Sequence, residues 1–220
     1  MNYMKASLEY DTELLASLPH IPRELDNMQE QTIFSDGDIC IRPFTAADVL
    51  ALFEATRESI SELCRWMVWC HPNYSLQDCL GFVSKSRADW EEGTQYSFGV
   101  FSNNRGTLLG SVGLSTINRT HKCANLGYWV RTGLTGHGIG AKACRLMSQF
   151  AFEELELNRL ELLIPNQNRF SLKVADRIGA TVEGLLRNRL MLNGRAHDAF
   201  MYSLVAKGSN QGAMRNALTI

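Results

Sequence analysis

The chain has 220 residues, 45% of them hydrophobic, with 22 basic side chains against 23 acidic ones and a formal net charge of −1. That is apolar material for one sizeable core, and the even charge excludes a broad nucleic-acid-binding surface while leaving room for a local basic patch that holds one small anion. No apolar run is long enough to span a bilayer, Met1 to Asp11 carries no signal-peptide pattern, and Cys40, Cys64, Cys70, Cys79, Cys123 and Cys144 show no metal-binding spacing, so the expectation is a cytoplasmic protein with mostly buried thiols, no metal and no membrane partner.

Residues 1–37 read as a leader, in which Leu8, Leu14, Leu15 and Leu18 suggest a short helix and Pro19 and Pro22 an extended arm; residues 38–207 read as the folded domain and 208–220 as a tail. The domain opens with a strand, Ile39 to Phe44, and Thr45 with Asp48 three residues on marks a helix start of the capping-box kind. Cys64 and Cys70, on the segment that follows, are near enough along the chain to oxidise in a mobile loop. Ser75 and Asp78 repeat the capping signal and open a helix with Leu76, Leu80, Val83 and Trp90 on one face. Strands at about 95–101, 107–116 and 122–131 are joined by the polar turns Asn103 to Gly106 and Asn118 to His121, which makes them a meander. Then come a helix over 139–154, with Ile139, Ala143, Leu146 and Phe150 on one face, a strand over 159–164, a helix over 169–178, and two strands, Thr181–Leu186 and His197–Val205, around an Asn193-Gly194 turn. An antiparallel front and a parallel middle make a mixed α/β or α+β sheet.

The most informative stretch joins the strand at 122–131 to the helix at 139 through Gly133, Gly136, Gly138 and Gly140. Glycines let the backbone approach a ligand closely, and the first N–H groups of a helix have no internal partners, so this turn is an anion cradle and predicts a phosphate-bearing ligand. It is not a Walker A loop, because Ile139-Gly140 follows Gly138 where Lys and Ser or Thr are needed. Gly136, Gly138 and Ala141 do satisfy the dinucleotide pattern G-x-G-x-x-A, but that fold wants an acidic residue closing the next strand, which here closes on Pro165-Asn166.

Thr135-Gly136-His137-Gly138-Ile139-Gly140 resembles the pyrophosphate loop of the Gcn5-related N-acetyltransferases (GNAT), whose pattern is Gln or Arg, two residues, Gly, one residue, Gly or Ala. Thr135 stands in the Gln or Arg place, which costs a side-chain contact and leaves the backbone donors untouched. Asn168 to Ser171 and Val174 to Ala180 resemble the family's Asn-x-x-Ser helix and its end, with Ala180 in an aromatic place. Ile41 to Phe44 and Arg65-Trp66-Met67-Val68-Trp69 resemble the opening and the Trp-x-x-Trp segment of the ribosomal-protein N-acetyltransferase (RimJ/RimL-like) branch. The resemblance covers roughly residues 38 to 206 and implies a mostly antiparallel central sheet flanked by helices, with the glycine-rich loop opening the central helix.

It further implies acetyl-CoA as co-substrate, with its pyrophosphate on amides of Gly136, His137, Gly138, Ile139, Gly140 and Ala141, its pantetheine arm along Trp129, Val130 and Arg131, and Asn168 as a second pantetheine contact. In such an enzyme the Val130 N–H faces the thioester carbonyl and the Ser171 hydroxyl serves the leaving sulfur; the bland reading of Ser171 is a helix-start serine satisfying backbone amides. Trp66, Trp69 and Tyr74 are either core or a wall of the acceptor groove, Arg65 and Arg131 are candidates to orient acidic groups of the acceptor, and Lys173 and Arg177 are candidates for CoA phosphate. A base is not nominated from Glu161, Glu183, His71, His121 and His197, since an α-amine with a pKa of about 8 is already partly neutral. The acceptor implied is a protein N-terminus, a ribosomal one by the branch it resembles; a small amine (amino acid, polyamine or aminoglycoside) and a non-catalytic CoA-binding module are the alternatives. Homodimers are common in the family.

Overall fold

The computed structural model describes residues 33–206, so the expected N-terminal helix and arm and the expected tail lie outside the described residues. A two-residue strand β1 (Phe34–Ser35) leads into β2 (Ile39–Pro43), and a single 3-10 turn, Ala46–Asp48, starts the first helix, α1 (Val49–Glu58). The capping signal works as read: the Asp48 carboxylate accepts from the Thr45 backbone N–H (2.8 Å) and hydroxyl (2.9 Å). It also takes both guanidinium arms of Arg42 at 2.7 Å, which ties β2 to the helix it feeds. At Ser59, whose φ of −102° and ψ of 8° are not helical, the run breaks, and α2 (Ile60–Trp66) follows. The second capping box is complete, with Ser75 and Asp78 exchanging hydrogen bonds at the start of α3 (Leu76–Glu92), which ends on left-handed Gly93.

The meander follows as β3 (Tyr96–Ser102), β4 (Leu108–Asn118) and β5 (Cys123–Val130). Helix α4 (Ile139–Gln149) does not run to Glu154 as the apolar spacing predicts. It passes into a π-helical turn, Phe150–Glu154, closed by Leu155 N–H to Phe150 C=O at 3.2 Å. The wider turn buries Phe150 and Ala151 together, and Phe150 enters an aromatic cluster with Trp90, Tyr96 and Phe98 at centroid distances of 5.6, 5.3 and 5.1 Å. Strand β6 (Arg159–Pro165) and helix α5 (Arg169–Ile178) come next, then the hairpin β7 (Thr181–Leu192) and β8 (Arg195–Val205). The last hairpin is longer than expected. Its register shifts between Leu186 and Leu190, where Asn188 adopts φ +51° and its N–H takes Asp198 Oδ1 at 2.8 Å, so a polar bulge concealed the strand's continuation.

The eight strands among the described residues form one sheet in the order β1-β2-β3-β4-β5-β6-β8-β7, with β5 and β6 as its parallel pair and antiparallel neighbours elsewhere. Parallel pairing covers Cys123–Asn125 against Arg159–Glu161 and then stops. Past that point β5 stays with β4 as far as Val130, and β6 stays with β8 as far as Pro165, so the two central strands diverge. Apolar clusters cover both sheet faces. One gathers Val112 and Leu114 of β4 with Leu126, Met147 and Leu162 under α4; the other gathers Phe44, Leu52, Val83 and Trp129 under α1 and α3. Each such side chain contributes about 1.5–3 kcal/mol on burial.

The Cys64 and Cys70 thiols lie 3.0 Å apart, and burial, with the Cys64 thiol beside it, pushes Cys70 up to about 12, which keeps it protonated near neutral pH.

Burial pushes the Asp48 carboxyl up, but the hydrogen bonds from Arg42 and Thr45 outweigh it and hold the group below the ordinary carboxylate value. A depressed folded-state pKa adds stability that is full above the unfolded value of about 3.9 and is lost as pH falls through the folded one. Asp48→Asn is therefore expected to cost about 2 kcal/mol by urea denaturation at pH 7, less than a fully buried pair because Arg42 is partly exposed. The gap from wild type should close as pH drops below about 4.

Candidate active site

The divergence of β5 from β6 leaves the end of β5 with one free backbone edge. Arg131 N–H bonds to Leu109 C=O on the β4 side at 2.9 Å, and in an antiparallel ladder successive N–H groups alternate in direction, so the neighbouring Val130 N–H faces the gap. From there the chain makes a 3-10 turn, Thr132–Leu134, and passes through Gly136 (φ +86°) and Gly138 (φ +81°) into α4. Gly138 is the N-cap and no side chain caps this helix. The first intrahelical bond is Lys142 N–H to Gly138 C=O, so the amides of Ile139, Gly140 and Ala141 have no intrahelical acceptor.

The loop is self-supported. Thr135 Oγ1 donates to Thr132 C=O at 3.0 Å, and His137 Nδ1 sits 3.1 Å from Thr135 C=O, so both side chains fold back on the loop. The glycines differ in purpose. A Cβ on Gly136 or Gly138 would meet nothing within 4 Å, so these positions are glycine for their left-handed backbone. A Cβ on Gly140 would lie 2.8 Å from the Tyr128 ring, so Gly140 is glycine because that ring packs on it.

Loop, β5 end and α5 enclose a cavity of about 440 Å³. Val130, Gly136, Gly138, Ile139, Gly140, Asn168 and Ser171 all line it, as do Trp66 and Trp129; Lys173 and Arg177 supply two cations and Glu62 one carboxylate. Asn168 caps α5 through Oδ1, which accepts from Ser171 N–H at 3.1 Å. That frees the Ser171 hydroxyl from capping, and Tyr128 donates to it at 3.2 Å. Burial pushes the Tyr128 phenol above its ordinary value, so it remains a proton donor. An accepted bond from Tyr128 leaves the Ser171 proton available to something in the cavity.

A second cavity, of about 400 Å³, lies across β5 between the sheet and helices α1 and α3. It shares Met67, Tyr128 and Trp129 with the first. Trp69 and Tyr74, with ring centroids 5.4 Å apart, stand on its wall, whereas Trp66 faces the first cavity, so the Trp-x-x-Trp segment straddles both. Thr56 also lines the second cavity. It is fully buried, and its hydroxyl finds no hydrogen-bond partner among the described residues, an arrangement that costs about 1–3 kcal/mol while unmet.

Some expected residues lie elsewhere. The Arg131 guanidinium is held by Glu58, with Nε to Oε2 at 2.9 Å, and Thr132 N–H bonds to Ser59 Oγ at 3.0 Å, so Arg131 and its neighbour clamp the loop to the α1–α2 junction. His137 and Ala141 do not line the first cavity, and Arg65 stacks on Trp66 at 4.7 Å. None of the five base candidates lines either cavity. Glu161 and Glu183 both pair with Arg159, whose hydrogen bonds, with one from Ser203, pull Glu183 down to about 2; His71 sits 3.5 Å from Asp78. Sequence reasoning missed Tyr128, Thr56 and Glu58. Only Tyr128 had a signal, as an aromatic one residue before the expected pantetheine strand edge.

Comparison with known proteins fits this geometry. Residues 38–181 match the acetyltransferase (GNAT) domain model. The Bacillus subtilis (strain 168) protein YdaF, a candidate ribosomal N-acetyltransferase, is 39% identical over 102 residues, 46% of this chain and 56% of its own, so the chain spans little more than half the length of that relative. A solved candidate ribosomal-protein-serine acetyltransferase from Vibrio cholerae is 29% identical with a TM-score of 0.68, over 80% of this chain and 98% of that one. RimL, a ribosomal L7/L12 α-N-protein acetyltransferase solved with coenzyme A, shares the fold at a TM-score of 0.73 and 22% identity, over 79% of this chain and 97% of its own. A domain match extending over more than half of the sequence means that the chain belongs to the GNAT acetyltransferase family.

Proposed function

We propose that the protein transfers an acetyl group from acetyl-CoA to the α-amine of a polypeptide N-terminus by direct attack on the thioester. The observation that carries this is the meeting of two cavities at the free edge of β5, one backed by uncapped helix amides and the other lined by no charged side chain among the described residues. The names of the relatives support a ribosomal protein as the acceptor.

In this reading the first cavity takes the coenzyme. Uncapped amides at the start of α4 hold the pyrophosphate, Lys173 and Arg177 add positive charge for phosphate, and the free edge of β5 pairs with the pantetheine arm. The amine nitrogen attacks the thioester carbon from the side of the second cavity. The carbonyl oxygen gains negative charge, which the Val130 N–H stabilises; as the C–S bond breaks, the Ser171 hydroxyl donates to the sulfur. The proton lost by the nitrogen ends on the sulfur, giving amide and free thiol. Tyr128 is a positioning residue here, because it orients Ser171 through the hydroxyl bond. Among the described residues no carboxylate lines the second cavity to pair with the extra ammonium groups of a polyamine or aminoglycoside.

Incubation with acetyl-CoA and N-terminal peptides should release thiol and give peptides acetylated at the α-amine by mass spectrometry; no release with any acceptor despite tight CoA binding overturns the enzymatic reading. Gly138→Val, forced toward a left-handed backbone that costs roughly 1–2 kcal/mol, should weaken CoA binding about tenfold by calorimetry, and wild-type affinity would contradict the cradle. Ser171→Ala should lower kcat about tenfold or more, ~1.4 kcal/mol, with little change in acetyl-CoA affinity. Tyr128→Phe should lower kcat by a smaller factor, and the double variant should be no slower than Ser171→Ala alone, since both changes remove one hydroxyl function.

A further inference from the structure

Cys64 and Cys70 take no part in the chemistry above, yet they bracket the segment that walls the site. Cys64 lies in the last turn of α2, and beyond the helix the chain turns back on itself, with Cys70 N–H on Met67 C=O at 3.1 Å. That turn brings the two thiols to 3.0 Å, where one donates to the other, and sets the Cys70 sulfur 3.9 Å from Ile60 C=O. Both cysteines are half-buried and keep some exposed surface, whereas Cys79 and Cys144 are closed off. Among the described residues no other pair of thiols is in hydrogen-bond contact.

Between the two cysteines runs the aromatic segment. Trp66 lines the first cavity, Val68 and Trp69 line the second, and Met67 lines both. The ends of this segment are held unequally. Cys64 is fixed within a helix, and its C=O accepts from Asn193 Nδ2 at 3.2 Å, while Cys70 sits in the turn that follows. An S–S bond is about 2.05 Å long, so covalent closure from 3.0 Å draws the sulfurs together by roughly 1 Å. The turn yields to that pull and the helix does not. Trp69, next to Cys70, moves with it, and its edge contact with the Tyr74 ring, at 5.4 Å between centroids, changes.

We propose that Cys64 and Cys70 form a dithiol modification site that a hydroperoxide converts to a disulfide, and that closing this bond shifts Trp69 and weakens use of the acceptor while sparing the coenzyme cavity. Burial and the neighbouring Cys64 thiol push Cys70 up to about 12, so Cys70 is the poorer nucleophile and Cys64 reacts first. The Cys64 sulfur attacks the terminal peroxide oxygen and the O–O bond breaks. Cys64 becomes a sulfenic acid, and its proton leaves with the other oxygen as an alcohol, or as water when the oxidant is hydrogen peroxide. The Cys70 sulfur then attacks the Cys64 sulfur, the S–O bond breaks, and the Cys70 proton leaves with the hydroxide as water. The sulfur pair loses two electrons and the peroxide gains them. A thiol reductant reverses the bond by exchange. Formation of the bond is independent of the acyl-transfer reading; its effect on acceptor use rests on that reading.

The test treats the full chain with hydrogen peroxide, removes the oxidant, and maps the cysteines by alkylation and peptide mass spectrometry. A Cys64–Cys70 cross-link with loss of two hydrogens is expected, reversed by dithiothreitol, with Cys79 and Cys144 still free; Cys64→Ser should form no such link. Tryptophan fluorescence should shift on oxidation and return on reduction in wild type, and stay constant in Cys64→Ser. Oxidised wild type should acetylate peptides, read by mass, with a peptide KM at least threefold above that of the reduced protein and with CoA affinity unchanged by calorimetry. Cys64→Ser should show one KM before and after peroxide. Thiols that remain open to alkylation after peroxide, or higher oxides on Cys64 without a cross-link, overturn the site. A cross-link that leaves fluorescence or peptide KM unchanged, or that weakens CoA binding, overturns the coupling to the acceptor side. If even the reduced protein acetylates no peptide, the acyl-transfer reading alone fails, and a cross-link with its fluorescence shift still supports the site and the movement of Trp69.

Discussion

Two strands that pair for three residues and then part determine nearly everything else in this molecule. Had β5 and β6 stayed together, the backbone edge at Val130 would be spent on a ladder bond and the sheet would be closed. Each strand is held on its outer side, β5 by β4 and β6 by β8, so neither can swing back without breaking a longer ladder. The parting is thus fixed by the two flanking ladders. It creates an edge that is polar, directional and flanked by the start of a helix, a combination that ordinary close packing would eliminate.

The two sides of that opening are mechanically connected. Glu58 and Ser59, at the break between α1 and α2, hold Arg131 and Thr132 at the start of the glycine loop. On the far side Asn193, at the tip of the β7–β8 turn, donates to Cys64 C=O at 3.2 Å, so α2 is gripped from two directions. The aromatic segment that follows α2 contributes Trp66 to one cavity and Trp69 to the other. A shift of α2 would thus alter both cavities together.

Much of this was legible in the sequence because local signals and tertiary structure agree. Thr45 with Asp48 and Ser75 with Asp78 announce helix starts that occur where expected, and the Asn193-Gly194 turn has both residues at positive φ. Where signals failed, a backbone irregularity was responsible. A π-helical turn shortens α4, and a bulge at Asn188 hides half of β7, because neither alters hydrophobic spacing in a way that a regular period reveals. At the site, the loop pattern pointed to Gly138 and the family resemblance to Val130, and both line the first cavity. Residues that matter through distant partners were not legible in this way: Glu58 lies 73 positions from Arg131, and Tyr128 meets Ser171 across 43.

Thr135 shows how a departure from a familiar pattern alters the thermodynamics rather than the outcome. A long Gln or Arg at this position would remain loose until a ligand arrived and would surrender rotamer freedom on contact. The shorter threonine is instead anchored on Thr132, and the His137 ring rests on the carbonyl of Thr135, so both side chains are ordered by the loop itself. A loop ordered in this way during folding has less rotamer freedom left to lose on meeting any ligand.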